Sequence, residues 1–147
     1  MNGLFVDTAG WMACADASDA AHGACAVARD QALKAGHQLV TSDFVVDETL
    51  TLLRLRLGMA VAAAWWQQVN GSPRVTWQRI DAARFDRARE LFFRYSDKAF
   101  SFTDCTSFVV MRELRLTRVM TTDRHFRQAG FIVVPNGSRR RPRGSIR

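Results

Sequence analysis

Leu4-Phe5-Val6-Asp7-Thr8 (residues 4–8) sets the architecture of the chain, because an apolar run here stops abruptly at a carboxylate. Three consecutive apolar residues with no polar alternation read as a strand buried on both faces, the signature of a parallel sheet. Small and turn-prone residues follow Asp7, so the strand leads into a helix. An isolated acid ending a buried strand has no structural advantage, and burying it is costly without a counter-charge.

Working outward, the same alternation of elements continues. Residues 16–35 are alanine-rich and predict a helix closed by Gly36. His37 to Thr41 reads as a second strand. Ser42 or Asp43 then caps a helix that ends at Gly58. Met59 to Val69 predicts another helix, closed by Asn70-Gly71-Ser72-Pro73. Arg74 to Arg79 alternates as a strand at or near a sheet edge does. A helix starts at Asp81 with Phe85, Ala88, Leu91 and Phe92 on one face, and Ser96 to Thr103 forms a loop. Thr103 or Asp104 opens the next helix, Thr117 to Met120 is a strand ending in Thr121-Thr122-Asp123, and a short helix precedes the last strand, Phe131 to Val134. Strands alternating with helices imply a three-layer α/β/α sandwich around a mostly parallel sheet.

The chain has 147 residues, enough for one domain and too few for two. Residues 1–135 carry the folding pattern, and residues 136–147 read as a basic tail expected to be disordered. Five arginines in that tail (139, 140, 141, 143 and 147) supply most of the net charge of +7, and without them it is +2. The body is mildly basic, its positive charge mostly arginine, which suits phosphate. No apolar stretch approaches the ~20 residues of a membrane span, and no basic n-region precedes the N-terminal apolar run, so the expected location is the cytoplasm. Cys14, Cys25 and Cys105 show no metal-ligand spacing and read as reduced thiols.

In a parallel sheet ligands bind at the carboxyl ends of the strands. Asp7 and Asp123 both follow strands, while Glu48 and Asp104 lie near the starts of helices along the same edge, so the four can converge. Converging carboxylates repel one another unless a cation joins them. Oxygen-only ligands suit Mg²⁺ or Mn²⁺, which can activate water for phosphodiester cleavage. Three of the acids also have an ordinary explanation, and Asp7 is the hardest to explain away. Asp104 can complement a helix dipole, Asp123 can cap a helix, and Glu48 can be a solvated helix residue with Asp47 as its rival.

Four segments together resemble the PIN-domain family, specifically the VapC-type toxins of bacterial toxin–antitoxin pairs. They are Phe5-Val6-Asp7-Thr8, Thr41-Ser42-Asp43 to Glu48-Thr49, Tyr95-Ser96-Asp97-Lys98 through Ser101-Phe102-Thr103-Asp104-Cys105, and Thr121-Thr122-Asp123-Arg124-His125-Phe126. Ala129-Gly130-Phe131 also fits, and the resemblance spans residues 3 to about 135. It implies a Mg²⁺- or Mn²⁺-dependent endoribonuclease with Asp7, Glu48, Asp104 and Asp123 as metal-binding carboxylates and Thr8 in support. It also implies an RNA substrate, a cognate antitoxin whose C-terminal segment occupies the active-site groove, and a homodimer. A non-catalytic PIN-like module that binds RNA or protein is the alternative.

Competing α/β classes fit less well. Asp7-Thr8-Ala9 lacks the second acid of a haloacid-dehalogenase-type phosphatase, and the chain lacks the acidic pair and lysine arrangement of a receiver domain. Arg112, Arg115, Arg124 and Arg127 flank the acids in sequence and are the candidates for the RNA backbone. Arg54 and Arg56 interrupt an apolar helix, with phosphate, an antitoxin acid or solvent as the options. Trp65 and Trp66 point about 100° apart on a helix, so one is core and the other partly exposed. His125 reads as structural, since a cation already supplies the activated water.

Overall fold

The computed structural model describes residues 2–136, so all but the first residue of the expected basic tail lies outside the described residues. Strand β1 (Gly3–Val6) is followed by α1 (Thr8–Ala15) and α2 (His22–Lys34). Then come β2 (Gln38–Ser42), α3 (Asp43–Leu57), α4 (Met59–Gly71), β3 (Val75–Gln78) and α5 (Ala82–Arg94). The chain continues with α6 (Phe102–Glu113), β4 (Arg118–Met120), α7 (His125–Gln128) and β5 (Ile132–Val134).

The strands form one sheet in the order β3-β2-β1-β4-β5. Every pairing is parallel, with Phe5 opposite both Val40 and Val119. The expectation of a mostly parallel sheet is therefore met in full, and β3 stands at an edge as its alternating pattern predicts. β1 is central, which is why its apolar run is continuous. Side chains alternate across it. Phe5 meets Phe126 of α7, their ring centroids 6.5 Å apart, while Val6 lies under Gly10 of α1. Helices thus cover both faces. Phe126 also packs against Phe108 of α6, which locks the short α7 to the core.

Two helix boundaries differ from the sequence expectation. The predicted single helix over residues 16–35 is in fact α2 alone, starting at His22, and a separate α1 occupies residues 8–15. The carboxylate of Asp16 takes the Ser18 N–H and that of Asp19 takes the Ala21 N–H, local turns that compete with helix. Likewise α6 begins at Phe102, capped by Ser101, one or two residues before the expected start at Thr103 or Asp104. Ser42, rather than Asp43, caps α3 by accepting the Val45 N–H. Trp65 is buried and Trp66 exposed, with the Trp66 ring edge-on to Trp77. All three cysteines are free thiols. Among the described residues no helix is long and apolar enough to cross a membrane.

Candidate metal centre

Asp7 ends β1 and caps α1. Its backbone is extended (φ −88°, ψ 179°), and Oδ1 accepts the Gly10 N–H at 2.9 Å, satisfying one of the donors a helix start leaves open. Oδ2 accepts the hydroxyl of Thr121 at 2.7 Å. The residue is only 6% exposed. Burial, reinforced by the charges of Asp123 and Asp104, pushes its carboxyl from 3.8 up to about 7, against the lowering effect of the two hydrogen bonds.

Thr121 continues from β4 and is pinned to β5 by its N–H to the Val134 carbonyl. The same hydroxyl that donates to Asp7 accepts the Asp123 N–H at 2.9 Å. Asp123 therefore stands beside Asp7 because parallel pairing of β1 with β4 brings both strand ends to one edge. Asp123 Oδ1 in turn accepts the His125 N–H at 2.9 Å.

Asp104 arrives from the start of α6. It forms a capping box with Ser101, each side chain accepting the other's backbone N–H at 3.0 Å. The helix-start explanation of this acid is correct, yet it does not exhaust the residue, because Asp104 also faces the cavity. Burial raises its pKa, and the Ser101 and His125 hydrogen bonds partly offset that. His125 Nδ1 lies 2.8 Å from Asp104 Oδ2 and 3.2 Å from Asp123 Oδ2. Donor atoms of Asp104, Asp123 and His125 fall within 4.8 Å of one another, a spacing that can hold a metal ion.

Asp7, Asp104 and Asp123 line a cavity of about 230 Å³ together with Thr8 and Glu48. Glu48 projects into it from α3, whereas Asp47 is exposed and lies outside it. All four predicted carboxylates thus share one cavity. Two further charges line it that the sequence reading had not placed there, Asp19 and Arg56. Glu48, Leu52 and Arg56 are spaced four residues apart on α3 and form one stripe along the wall.

Two of the four flanking arginines stand away from the cavity. Arg112 lies near the end of α6 opposite Asp104, its guanidinium over the Phe131 ring at 5.9 Å, and Arg115 follows that end. Both precede β4, whose far end carries the chain to Asp123, so closeness in sequence to the acids is not closeness in space. Arg124 is exposed next to Asp123, and Arg127 lies on α7.

Thr8 Oγ1 is buried at the cavity wall, and no described residue hydrogen-bonds it. An unpartnered hydroxyl beside converging carboxylates, one of them held near pKa 7, fits a hydrated hard cation in donor chemistry and in charge.

A family model described as the PIN domain matches residues 4–132. Two curated relatives, from Mycobacterium tuberculosis strains CDC 1551 / Oshkosh and ATCC 25618 / H37Rv, are both named 23S rRNA-specific endonuclease VapC20. Each is 36% identical over 133 residues, which covers 89% of this chain and 97% of the relative. The crystal structure of Mycobacterium tuberculosis VapC20, titled a sarcin-ricin loop cleaving toxin, matches with a TM-score of 0.78 at 33% identity, covering 88% of this chain and 97% of that one.

Proposed function

Because the chain belongs to the PIN-domain family, we propose that it is a Mg²⁺- or Mn²⁺-dependent endoribonuclease, the toxin of a toxin–antitoxin pair. The observation that carries this reading is the convergence of Asp7, Glu48, Asp104 and Asp123 on one cavity, with Asp7 buried at its base. These four carboxylates are the residues assigned to hold the cation, and Thr8 supports them. A bound divalent ion supplies Lewis acidity, polarising a phosphodiester and lowering the pKa of water.

The protein's own contribution is placement. Thr121 joins Asp7 to Asp123, the Ser101 capping box fixes Asp104, and α3 carries Glu48. Arg56, at the far end of the α3 stripe, is assigned to the RNA backbone, with Arg124 at the rim. Residues 1–135 are assigned as the nuclease domain, working in the cytoplasm.

The relative's named target makes 23S rRNA in ribosomes the substrate to try first. The antitoxin is assigned to the cavity mouth and to a neighbouring groove of about 570 Å³ that shares α1 as a wall and is lined by Trp11, Val61, Trp65 and Val69. A homodimer is assigned to the α5 surface, where Phe85, Phe92 and Phe93 are exposed.

The test is incubation of ribosomes and total RNA with the purified protein and Mn²⁺, beside Asp7→Asn and an EDTA control. Cleavage by wild type alone is expected, at a defined site on primer extension. Equal cleavage by wild type and Asp7→Asn overturns the assignment. Growth arrest on expression, relieved by the neighbouring open reading frame, identifies the toxin role.

A further inference from the structure

His125 occupies a place that its sequence context does not explain. Its backbone N–H is committed to Asp123 Oδ1, which folds the start of α7 back onto the acid that precedes it. The ring then reaches across to a different element, the start of α6, where Nδ1 meets Asp104 Oδ2 at 2.8 Å and passes Asp123 Oδ2 at 3.2 Å. Phe100 lies edge-on to the imidazole, centroids 5.7 Å apart at 75°, and fixes the ring plane. One side chain therefore touches two carboxylates that repel each other, Asp104 in the first turn of α6 and Asp123 in the loop after β4.

We propose that His125 is the positioning residue of the cation site, its Nδ1–H bracing Asp104 and Asp123 at the separation the ion requires. This rests on the cation-dependent reading given above. A carboxylate turns easily about its last torsion, and Asp104 is restrained against this at one oxygen. Both the Ser101 N–H and His125 Nδ1 meet Oδ2, which leaves Oδ1 for the cation. A ring nitrogen that hydrogen-bonds an ionised carboxylate carries the proton, so it has no lone pair to offer a metal. Nδ1 is thus committed to the two acids, and the ring, Nε2 included, is not among the residues that line the cavity, so His125 acts through the carboxylates and not as a ligand. Loss of such a supporting hydrogen bond typically weakens metal affinity by about 10- to 100-fold.

The experiment is Mn²⁺ titration of the full chain, followed by electron paramagnetic resonance, on wild type, His125→Phe and His125→Asn. Phenylalanine keeps a ring against Phe100 but has no nitrogen. Asparagine places an amide N–H where Nδ1 stands. Weakening by about 10-fold or more is expected for His125→Phe, with most of the affinity restored in His125→Asn. Pulsed spectra of Mn²⁺-loaded wild type are expected to show no directly coordinated nitrogen. Wild-type affinity in His125→Phe overturns the proposal, as does an Asn variant that folds but fails to recover. A strong nitrogen coupling in wild type overturns it too, by making His125 a ligand. That spectrum needs no variant, so it decides the matter even if His125→Phe does not fold. If wild type and Asp7→Asn take up Mn²⁺ equally poorly, the underlying cation reading fails as well. That outcome is distinct from a wild type that binds while His125→Phe binds just as tightly.

Discussion

Thr121 Oγ1 donates to Asp7 Oδ2 at 2.7 Å, a buried contact between residues separated by 114 positions in the chain. The same oxygen accepts the Asp123 N–H, so one hydroxyl sets the distance between two carboxylates on neighbouring parallel strands. Thr121→Val keeps the shape and removes the link. It leaves the Asp123 backbone N–H without its acceptor and the Asp7 Oδ2 without its donor, which costs about 1–3 kcal/mol of stability. Because the pair no longer holds its spacing, Mn²⁺ affinity falls by about 10-fold or more. Urea unfolding in EDTA measures the first effect and calorimetric titration the second. A variant with a wild-type unfolding midpoint and wild-type affinity refutes the role given to Thr121.

Burial lifts the Asp7 carboxyl from 3.8 to about 7, so the ion-free folded chain holds this proton more tightly than the unfolded chain does. Its contribution to stability is therefore full below about pH 4, declines as pH rises towards about 7, and is constant above that. Asp104 is shifted in the same direction and adds to the trend. Asp7→Asn removes the penalty, making the ion-free variant more stable than wild type at pH 8 by on the order of 2 kcal/mol, with the gap closing towards pH 4. Cation binding needs the ionised form. Mn²⁺ affinity is thus expected to climb between pH 5 and about 7 and then level off. Unfolding curves in EDTA across this range, and titrations beside them, check both signs. A wild type more stable than Asp7→Asn at pH 8 contradicts the account.

Legibility in the sequence followed the range of the interactions. The continuous run Leu4-Phe5-Val6 announced a central parallel strand, and Asp7 was recognisable as anomalous because its neighbours alone could not justify it. The strand order put its end beside Asp123, as the rule for parallel sheets anticipates. Helix α1 was legible only as a helix following the strand, without its bounds, since its cap is Asp7 itself and its residues are small and apolar without a clear stripe. Arg56 and Asp19 reach the cavity only through tertiary packing, which no local pattern encodes. Asp47 against Glu48 is a question of helix face, and Val45, Thr49 and Leu53, all buried, define the face that Glu48 borders and Asp47 does not.

Gly10 is where α1 crosses β4 at close range. A Cβ there would lie 2.2 Å from the Met120 carbonyl oxygen and 3.1 Å from Val6 Cγ1. The first obstacle is backbone, so relief requires the helix to lift off the strand. Gly10→Ala therefore destabilises by about 1–3 kcal/mol, the ordinary cost of overpacking, despite the better helix propensity of alanine. It also moves the N–H that Asp7 Oδ1 accepts, so Mn²⁺ affinity falls with stability. A thermal melt at or above that of wild type rules this out.

Glu48→Gln and Asp47→Asn remove the same charge from adjacent positions. Glu48 lines the cavity and Asp47 does not. Glu48→Gln is expected to weaken Mn²⁺ binding and RNA cleavage together, by about 10-fold or more. Asp47→Asn stays within about twofold, since an exposed charge outside the site is screened and worth little. Side-by-side Mn²⁺ titrations settle the assignment, and a reversed order would give the ligand role to Asp47.

Arg56 and Arg112 offer the sharpest contrast between position in sequence and position in space. Arg112 is eight residues from Asp104 yet stacks on Phe131 beyond the cavity, while Arg56 lines the cavity from the end of the α3 stripe. A guanidinium facing carboxylates adds nothing to holding a cation, and its proximity weakens that slightly by repulsion. In the proposed function its use is for the phosphate that enters with the RNA. Arg56→Gln is therefore expected to raise KM several-fold, lower the salt dependence of RNA binding, and leave Mn²⁺ affinity unchanged or slightly improved. Arg112→Gln should leave KM unaltered and cost at most about 1 kcal/mol of stability through the lost contact with the ring. Kinetics on a ribosomal substrate at two salt concentrations separate the two. If Arg112→Gln raises KM and Arg56→Gln does not, the RNA follows the outer face of α6 and not the α3 wall.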